Sequence, residues 1–387
     1  MRIIITVQPA YGHFHPLASL ARELVKCNHE LCFVTSKSFT PKIIAAGFKC
    51  QPLGLDWEES KACETFKELS GIVDRNEINL FWMKHIFAGE TAKYMIPDLL
   101  KFSRKWQPDL IIHDPYEFAG ALISEYLSIP RIKSGPMVLL PSSKLCKMVS
   151  DSISEHRKNL GLPADEDLSF YYDCTELAFI PRFLISKDIC LSRNVYFLRP
   201  QICDEAVYEN SSKLFDKIDI RKKIIYATLG TVFHCFPEKW SAIFDAVRYN
   251  SRYSIISSIP DRQIIDLFKH YSNNIFVTDY ISQSLVYKYC DLVINHGGLN
   301  TIISAVLHGI PSIIMPIGAD NFYNARQCES EGIARIVYFD KKPVENLKIA
   351  IEDIMSNKIY CEKISLLRKK IKQMPEVTKG IEIIEKL

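Results

Sequence analysis

The chain has no Gly-x-x-x-x-Gly-Lys-Ser/Thr loop, no Gly-x-Gly-x-x-Gly run and no Gly-x-Ser-x-Gly elbow. ATP hydrolysis at a P-loop, the usual dinucleotide-binding mode and serine hydrolysis therefore lose their sequence support. Its 12 cysteines form no Cys-x-x-Cys pair and no regular framework. In a chain too large to need disulfides they read as reduced thiols of a cytoplasmic protein. Neither charge sign is in marked excess: 48 Lys and Arg face 45 Asp and Glu, for a net charge of +3. That balance requires no nucleic-acid partner. No apolar run approaches the ~20 residues that span a bilayer, which argues against integral membrane association and leaves peripheral contact open. The apolar run at residues 3–7 is also too short for the core of a signal peptide. His13 and His15 have no third ligand at a matching short spacing, so no metal is expected.

What is present is a doubly repeated α/β pattern. At 387 residues the chain exceeds one ordinary core, so two domains are expected. Short β-branched runs at 2–7, 31–35, 48–53 and 110–113 alternate with amphipathic stretches, as parallel strands joined by crossover helices do. Pro16 suits the first turn of a helix that Asn28 closes. Residues 55–105 read as helical and rich in aromatics, a composition that fits core packing and a ligand wall alike. A second series follows, with strands at 224–227, 253–257, 275–278, 292–295 and 312–317 and a helix from Gly298 to Gly309. The implied division is a first domain at 1–203, a linker at 204–217 and a second domain at 218–387, a monomer or homodimer in solution.

Sheets of this kind bind ligands beyond the C-terminal ends of their strands. Several chemistry-bearing residues fall there. Gly297 and Gly298 permit a sharp strand-to-helix turn and leave room for an anion at the helix start, where Asn300, Thr301 and His296 add donors. His296 would be charged if a phosphate raised its pKa. Gly230 and Thr231 form a second candidate phosphate loop. His13 follows the first strand and Asp114 another strand of the same half. A carboxylate on one imidazole nitrogen would fix the tautomer and leave the other nitrogen facing a hydroxyl. Either residue read alone also fits a structural role.

These residues resemble the nucleotide-sugar-dependent glycosyltransferases of family one, the UDP-glycosyltransferase superfamily, in the style of the bacterial natural-product enzymes. The likeness rests on Gly12-His13-Phe14-His15-Pro16, on Asn295-His296-Gly297-Gly298-Leu299-Asn300-Thr301, and on His308-Gly309-Ile310-Pro311 followed by Pro316-Ile317-Gly318-Ala319-Asp320-Asn321. It implies a GT-B fold: two facing Rossmann-like domains with parallel sheets and an interdomain cleft, the first for the acceptor and the second for the donor. It implies His13 as general base with Asp114 as its partner, and His296, Gly298, Asn300 and Thr301 around the donor diphosphate; Gly12 and Thr231 are further expected donor contacts. Tyr280 and Gln283 would lie along the nucleobase, with Asp320 and Asn321 at the sugar hydroxyls. Ser304 stands where many members carry a ribose-binding glutamate, which leaves UDP- and dTDP-sugars both open as donor.

The expected reaction is inverting transfer to a hydroxyl of a small, lipophilic acceptor, with no cofactor beyond the donor co-substrate. Phe81, Trp82 and Tyr116 are the expected acceptor contacts. Alternatives are a catalytically silent nucleotide-sugar-binding partner protein, another enzyme on the same architecture, and glycosylation of a lipid at a membrane surface.

Overall fold

Ile3, Ile4 and Ile5 are all fully buried, which consecutive strand residues achieve only when both faces of their sheet are covered. Ile3 and Ile5 join one apolar cluster and Ile4 the other, as the alternation of side chains along a strand requires. The computed structural model describes all residues except 73, 138–139, 202–214, 216–217, 220, 231–235, 280, 319 and 340–341. They form two units, Met1–Gln201 with Met374–Leu387, and Ile202–Gln373. The linker expected at 204–217 lies, apart from Phe215, outside the described residues.

The first unit contains β1 (Arg2–Thr6), β2 (Glu30–Thr35), β3 (Cys50–Pro52), β4 (Leu110–His113), β5 (Arg131–Gly135), β6 (Thr175–Ala178) and β7 (Asn194–Phe197). They pair in parallel in the order β3-β2-β1-β4-β5-β6-β7. The order reverses between β1 and β4, and their register sets Thr6 beside His113. Helix α1 (Tyr11–Lys26) lays Phe14, Leu17, Leu20, Ala21 and Leu24 on the Ile3/Ile5 face. It starts well before Pro16, which sits inside it; one missing N–H costs less than leaving Phe14 and Leu17 unburied. Asn28 adopts the left-handed φ of 62° just beyond its end, as a closing residue there should.

Residues 55–105 are less uniformly helical than expected. Short turns give way to α2 (Arg75–Leu80), a π-helical segment Phe81–Thr91 and α3 (Ala92–Trp106), one continuous rod. Helix α4 (Phe118–Leu127) follows β4 and helix α5 (Ser142–Leu160) follows β5. The sequence reading missed β5. Its Lys133 is polar yet buried, held by Glu176 at 3.1 Å and over the Tyr171 ring at 3.8 Å, so the apolar run is interrupted without the strand being exposed.

The second unit repeats the plan with β8 (Lys223–Thr228), β9 (Tyr253–Ser258), β10 (Ile275–Thr278), β11 (Leu292–Asn295), β12 (Ser312–Ile314) and β13 (Ala334–Ile336). All are parallel, in the order β10-β9-β8-β11-β12-β13, with the reversal between β8 and β11. Helix α6 (Leu299–His308) follows β11, and α7 (Asn321–Ser330) lies between β12 and β13. The last helix, α8 (Val377–Ile384), belongs to the first unit rather than the second, to which the sequence division assigned it. Val377, Ile381 and Ile384 are buried with Leu17 and Leu20 of α1. Among the described residues no helix is long and apolar enough to cross a membrane.

Candidate functional site

In each unit the conspicuous residues stand at the point where strand order reverses. Chains leaving two adjacent strands there diverge to opposite sides, opening a crevice that helices do not fill. After β1 and β4 the structure brings together His13 and Asp114, 101 positions apart. His13 lies in the first turn of α1, not ahead of the helix as expected, and its Nδ1 is 2.5 Å from Asp114 Oδ2. Asp114 is fully buried. Its Oδ1 accepts from Tyr116 N at 2.8 Å and its Oδ2 also from Gln8 N at 3.4 Å. A carboxylate oxygen only accepts, so Nδ1 carries the imidazole proton and Nε2 holds the lone pair. Gly12, one residue earlier, is exposed, and a Cβ there would meet nothing within 4 Å.

Aromatic rings continue from this dyad. Tyr116 meets His13 edge-on at 5.2 Å and Phe87 at 5.3 Å; Phe87 meets Trp82 at 5.5 Å. Of the three expected acceptor residues, Tyr116 touches His13 directly, and Trp82 connects to it only through Phe87. Phe81 instead packs its ring against His85 at 5.0 Å, because the π winding turns it away from its neighbour. Phe87 and Trp57 are core residues, but Phe87 also backs the dyad, 6.2 Å from His13.

Two residues the sequence reading passed over frame the site. Buried Gln8 donates from Nε2 to Tyr116 O at 2.7 Å, fixing the loop that follows Asp114. Buried Glu117 caps α4, accepting from Ala119 N at 3.0 Å and Gly120 N at 2.8 Å. Burial raises its carboxyl to about 7 against the pull of those two N–H groups. The only signal of either in the sequence is a polar residue close behind an apolar strand. His113, fully desolvated at the end of β4, falls to about 3 and is neutral.

The glycines after β8 and β11 are demanded by contact. Gly230 and Gly297 have φ of +72° and +97°, a region costly for any side chain. A Cβ on Gly230 would lie 2.6 Å from His296 Cε1, and one on Gly298 2.6 Å from His296 Nε2. The imidazole is therefore wedged between two glycines. Burial lowers His296 to about 4, so the imidazole by itself is neutral at pH 7. Gly298 is the N-cap of α6 and has no side chain to bond the first-turn N–H groups. Such an open helix start is suited to anions. Asn300 is exposed on this turn, while Thr301 is buried.

Behind the loop, asparagines lock it in place. Asn295 Oδ1 accepts from Gly297 N at 2.8 Å, and Asn324 donates to Gly297 O and to Asp320 Oδ2, both at 2.9 Å. With its amide oriented so that the nitrogen faces the carbonyls, Asn321 donates to Gly318 O at 2.9 Å and His296 O at 3.2 Å. Asn321 is 2% exposed, so in this conformation it braces the backbone instead of offering its amide to a sugar. Ser304, one of the expected donor contacts, is likewise buried, its hydroxyl enclosed without a hydrogen-bond partner among the described residues. Gln283 opens a short partly exposed helical turn, Gln283–Val286. Thr231 and Tyr280 lie outside the described residues. Among the described residues no three His, Cys, Asp or Glu side chains gather closely enough to hold a metal ion.

Comparison with known proteins places these features in a family. Residues 24–158 match the N-terminal and residues 246–387 the C-terminal domain model of the erythromycin biosynthesis protein CIII-like family. The chain is 23% identical over 375 residues to NDP-glycosyltransferase YjiC of Bacillus subtilis (strain 168), covering 94% of this chain and 92% of that protein. It is 22% identical over 428 residues to the 3-alpha-mycarosylerythronolide B desosaminyl transferase of Saccharopolyspora erythraea, covering 100% and 98%. The fold is shared with the glycotransferase of kitacinnamycin (TM-score 0.81, 18% identity, 100% of this chain and 98% of that one). It is shared equally with the glycosyltransferase VinC in complex with dTDP (TM-score 0.80, 18% identity, 100% and 99%).

Proposed function

The chain belongs to the nucleotide-sugar-dependent glycosyltransferases of the UDP-glycosyltransferase superfamily, with their GT-B fold, and from that membership we propose inverting transfer of a sugar from a UDP- or dTDP-sugar to a hydroxyl of a small lipophilic acceptor. The observation that carries this reading is the His13–Asp114 bond at the strand-order reversal of the first unit.

An aliphatic hydroxyl is about as weakly acidic as bulk water, ~15.7, against ~6.5 for imidazole, so His13 does not ionise it beforehand. Its Nε2 takes the proton as the new bond forms at the anomeric carbon. Asp114 then faces an imidazolium at 2.5 Å and stabilises it. Opposite the attack, the nucleoside diphosphate leaves with growing negative charge. That charge is assigned to the open first turn of α6, whose N–H groups are already oriented and need no reorganisation. His296, neutral before the donor arrives, adds a hydrogen bond and gains charge only as the phosphates approach. The burial of Ser304 leaves the ribose with few demands from α6, which suits a deoxyribose as well as a ribose. VinC, with its bound dTDP, supports testing both nucleotides.

The test is an assay of UDP- and dTDP-sugars against a panel of lipophilic alcohols and phenols, with products weighed by mass spectrometry and the anomeric configuration read by NMR. The expected product carries one added sugar of inverted configuration. Retained configuration, or no product from any donor that binds, would refute the proposal.

A further inference from the structure

The segment Phe81–Thr91 is π-helical over its whole length, whereas such winding is normally confined to single-turn insertions, many of them at functional sites. Two of its carbonyls are held by α5. Ser152 Oγ donates to Lys84 O at 3.2 Å and His156 Nε2 to Ala88 O at 2.8 Å. Donors and acceptors are both four residues apart, so the two bonds stack one above the other along the contact. Lys84 also pairs with Asp151 at 2.8 Å. A Cβ on Gly89 would lie 2.8 Å from Lys84 O, so glycine at this position lets the carbonyl keep its place beside Ser152. The same segment carries Trp82 and Phe87, whose rings lead through Tyr116 to His13.

We propose that His156 is a positioning residue that sets acceptor preference, its bond to Ala88 O holding the winding that sets Phe87 against His13 and Trp82 against Phe87. The inference rests on the reading of His13 as base and of this aromatic face as the acceptor wall. Rewinding by one residue turns a side chain about 100° around the helix axis, so the wall is either in place or displaced. His156 is buried behind Ala88 and acts only through that backbone. The acceptor class that fits is a planar aromatic alcohol.

The experiment titrates the full-length protein with 2-naphthol by calorimetry without donor, and separately measures acceptor KM, donor affinity and donor hydrolysis. His156→Leu removes the donor group; His156→Gln keeps an N–H that reaches Ala88 O. The expected result is about tenfold weaker 2-naphthol binding and a similar rise in acceptor KM for His156→Leu, with donor affinity and hydrolysis unchanged and most of the loss regained in His156→Gln. Wild-type affinity in His156→Leu, no gain in His156→Gln, or no 2-naphthol binding to the wild type each overturns the proposal. Should His156→Leu fail to fold, His156→Asn, whose shorter amide does not reach Ala88 O, makes the same comparison against His156→Gln. A wild type that binds 2-naphthol in this His156-dependent manner but transfers no sugar sustains the positioning role while refuting the transferase reading.

Discussion

A fully buried carboxylate persists only where its lone pairs are taken, and Asp114 meets that condition with an imidazole and two backbone N–H groups. On the proposed reading, the other ring nitrogen of His13 takes the acceptor proton. His13→Ala is expected to lower kcat about 10² to 10⁴ fold while donor affinity survives, as read by steady-state assay and calorimetry. Asp114→Asn should cost kcat about as much, because an amide nitrogen facing Nδ1 favours the wrong tautomer. Unchanged turnover in either variant removes the dyad from the mechanism. Histidine burial also makes stability depend on pH. His113 titrates near 3 when folded, against an ordinary 6.5, so the unfolded chain takes up its proton first as pH falls. The stability it contributes is present above pH 6.5 and is lost as pH falls toward 3, at up to about 1.4 kcal/mol per pH unit. Urea unfolding at pH 7, 5.5 and 4.5 should therefore show a shallower pH slope for His113→Gln than for the wild type; equal slopes would contradict the assignment.

Among the elements, the turn from β11 into α6 shows how a weak motif gains meaning. Two adjacent glycines in a sequence fit any tight turn. Here Gly298 makes room for the His296 ring, and Gly297 adopts a φ of +97° with Asn321 O only 2.8 Å from where its Cβ would be. Gly298→Ala should displace His296 and weaken UDP and dTDP binding by roughly tenfold, given a contact cost of 1–3 kcal/mol, without altering 2-naphthol binding in the first unit. Calorimetry with each ligand checks both halves, and full nucleotide affinity in the variant would show that the ring moves at no cost. The strands and the two motifs were legible because apolar runs and glycine–histidine spacing are local properties. The bracing by Asn295, Asn321 and Asn324 was not, since an amide in a sequence carries no mark of whether it will face a ligand or a carbonyl. The start of α1 was misplaced for a similar reason: proline preference is local, but the burial that outweighs it is not.

For the whole molecule, the chain passes between its two units twice, because α8 returns to the first. Gly380 packs against Leu20, Leu177 and Leu198 so closely that a Cβ would lie 2.9 Å from Leu198 Cδ1. Removing residues 374–387 uncovers this apolar face of α1. The truncated protein should lose stability in its first unit by several kcal/mol, since single buried Ile or Leu truncations cost ~2–5 kcal/mol. Calorimetric unfolding should show a lowered transition for that unit alone, with UDP and dTDP still raising the other; a lowered second transition instead would place α8 with the donor half. The sequence by itself determined the α/β character, the doubled series and the residues able to carry acid–base and phosphate chemistry, because each depends on neighbours within a few positions. Only the tertiary structure decided that His13 meets Asp114, that His296 is neutral and wedged between glycines, that Asn321 and Ser304 are buried, and that α8 belongs to the first unit. Those outcomes depend on which strands lie side by side and on what is desolvated when they do.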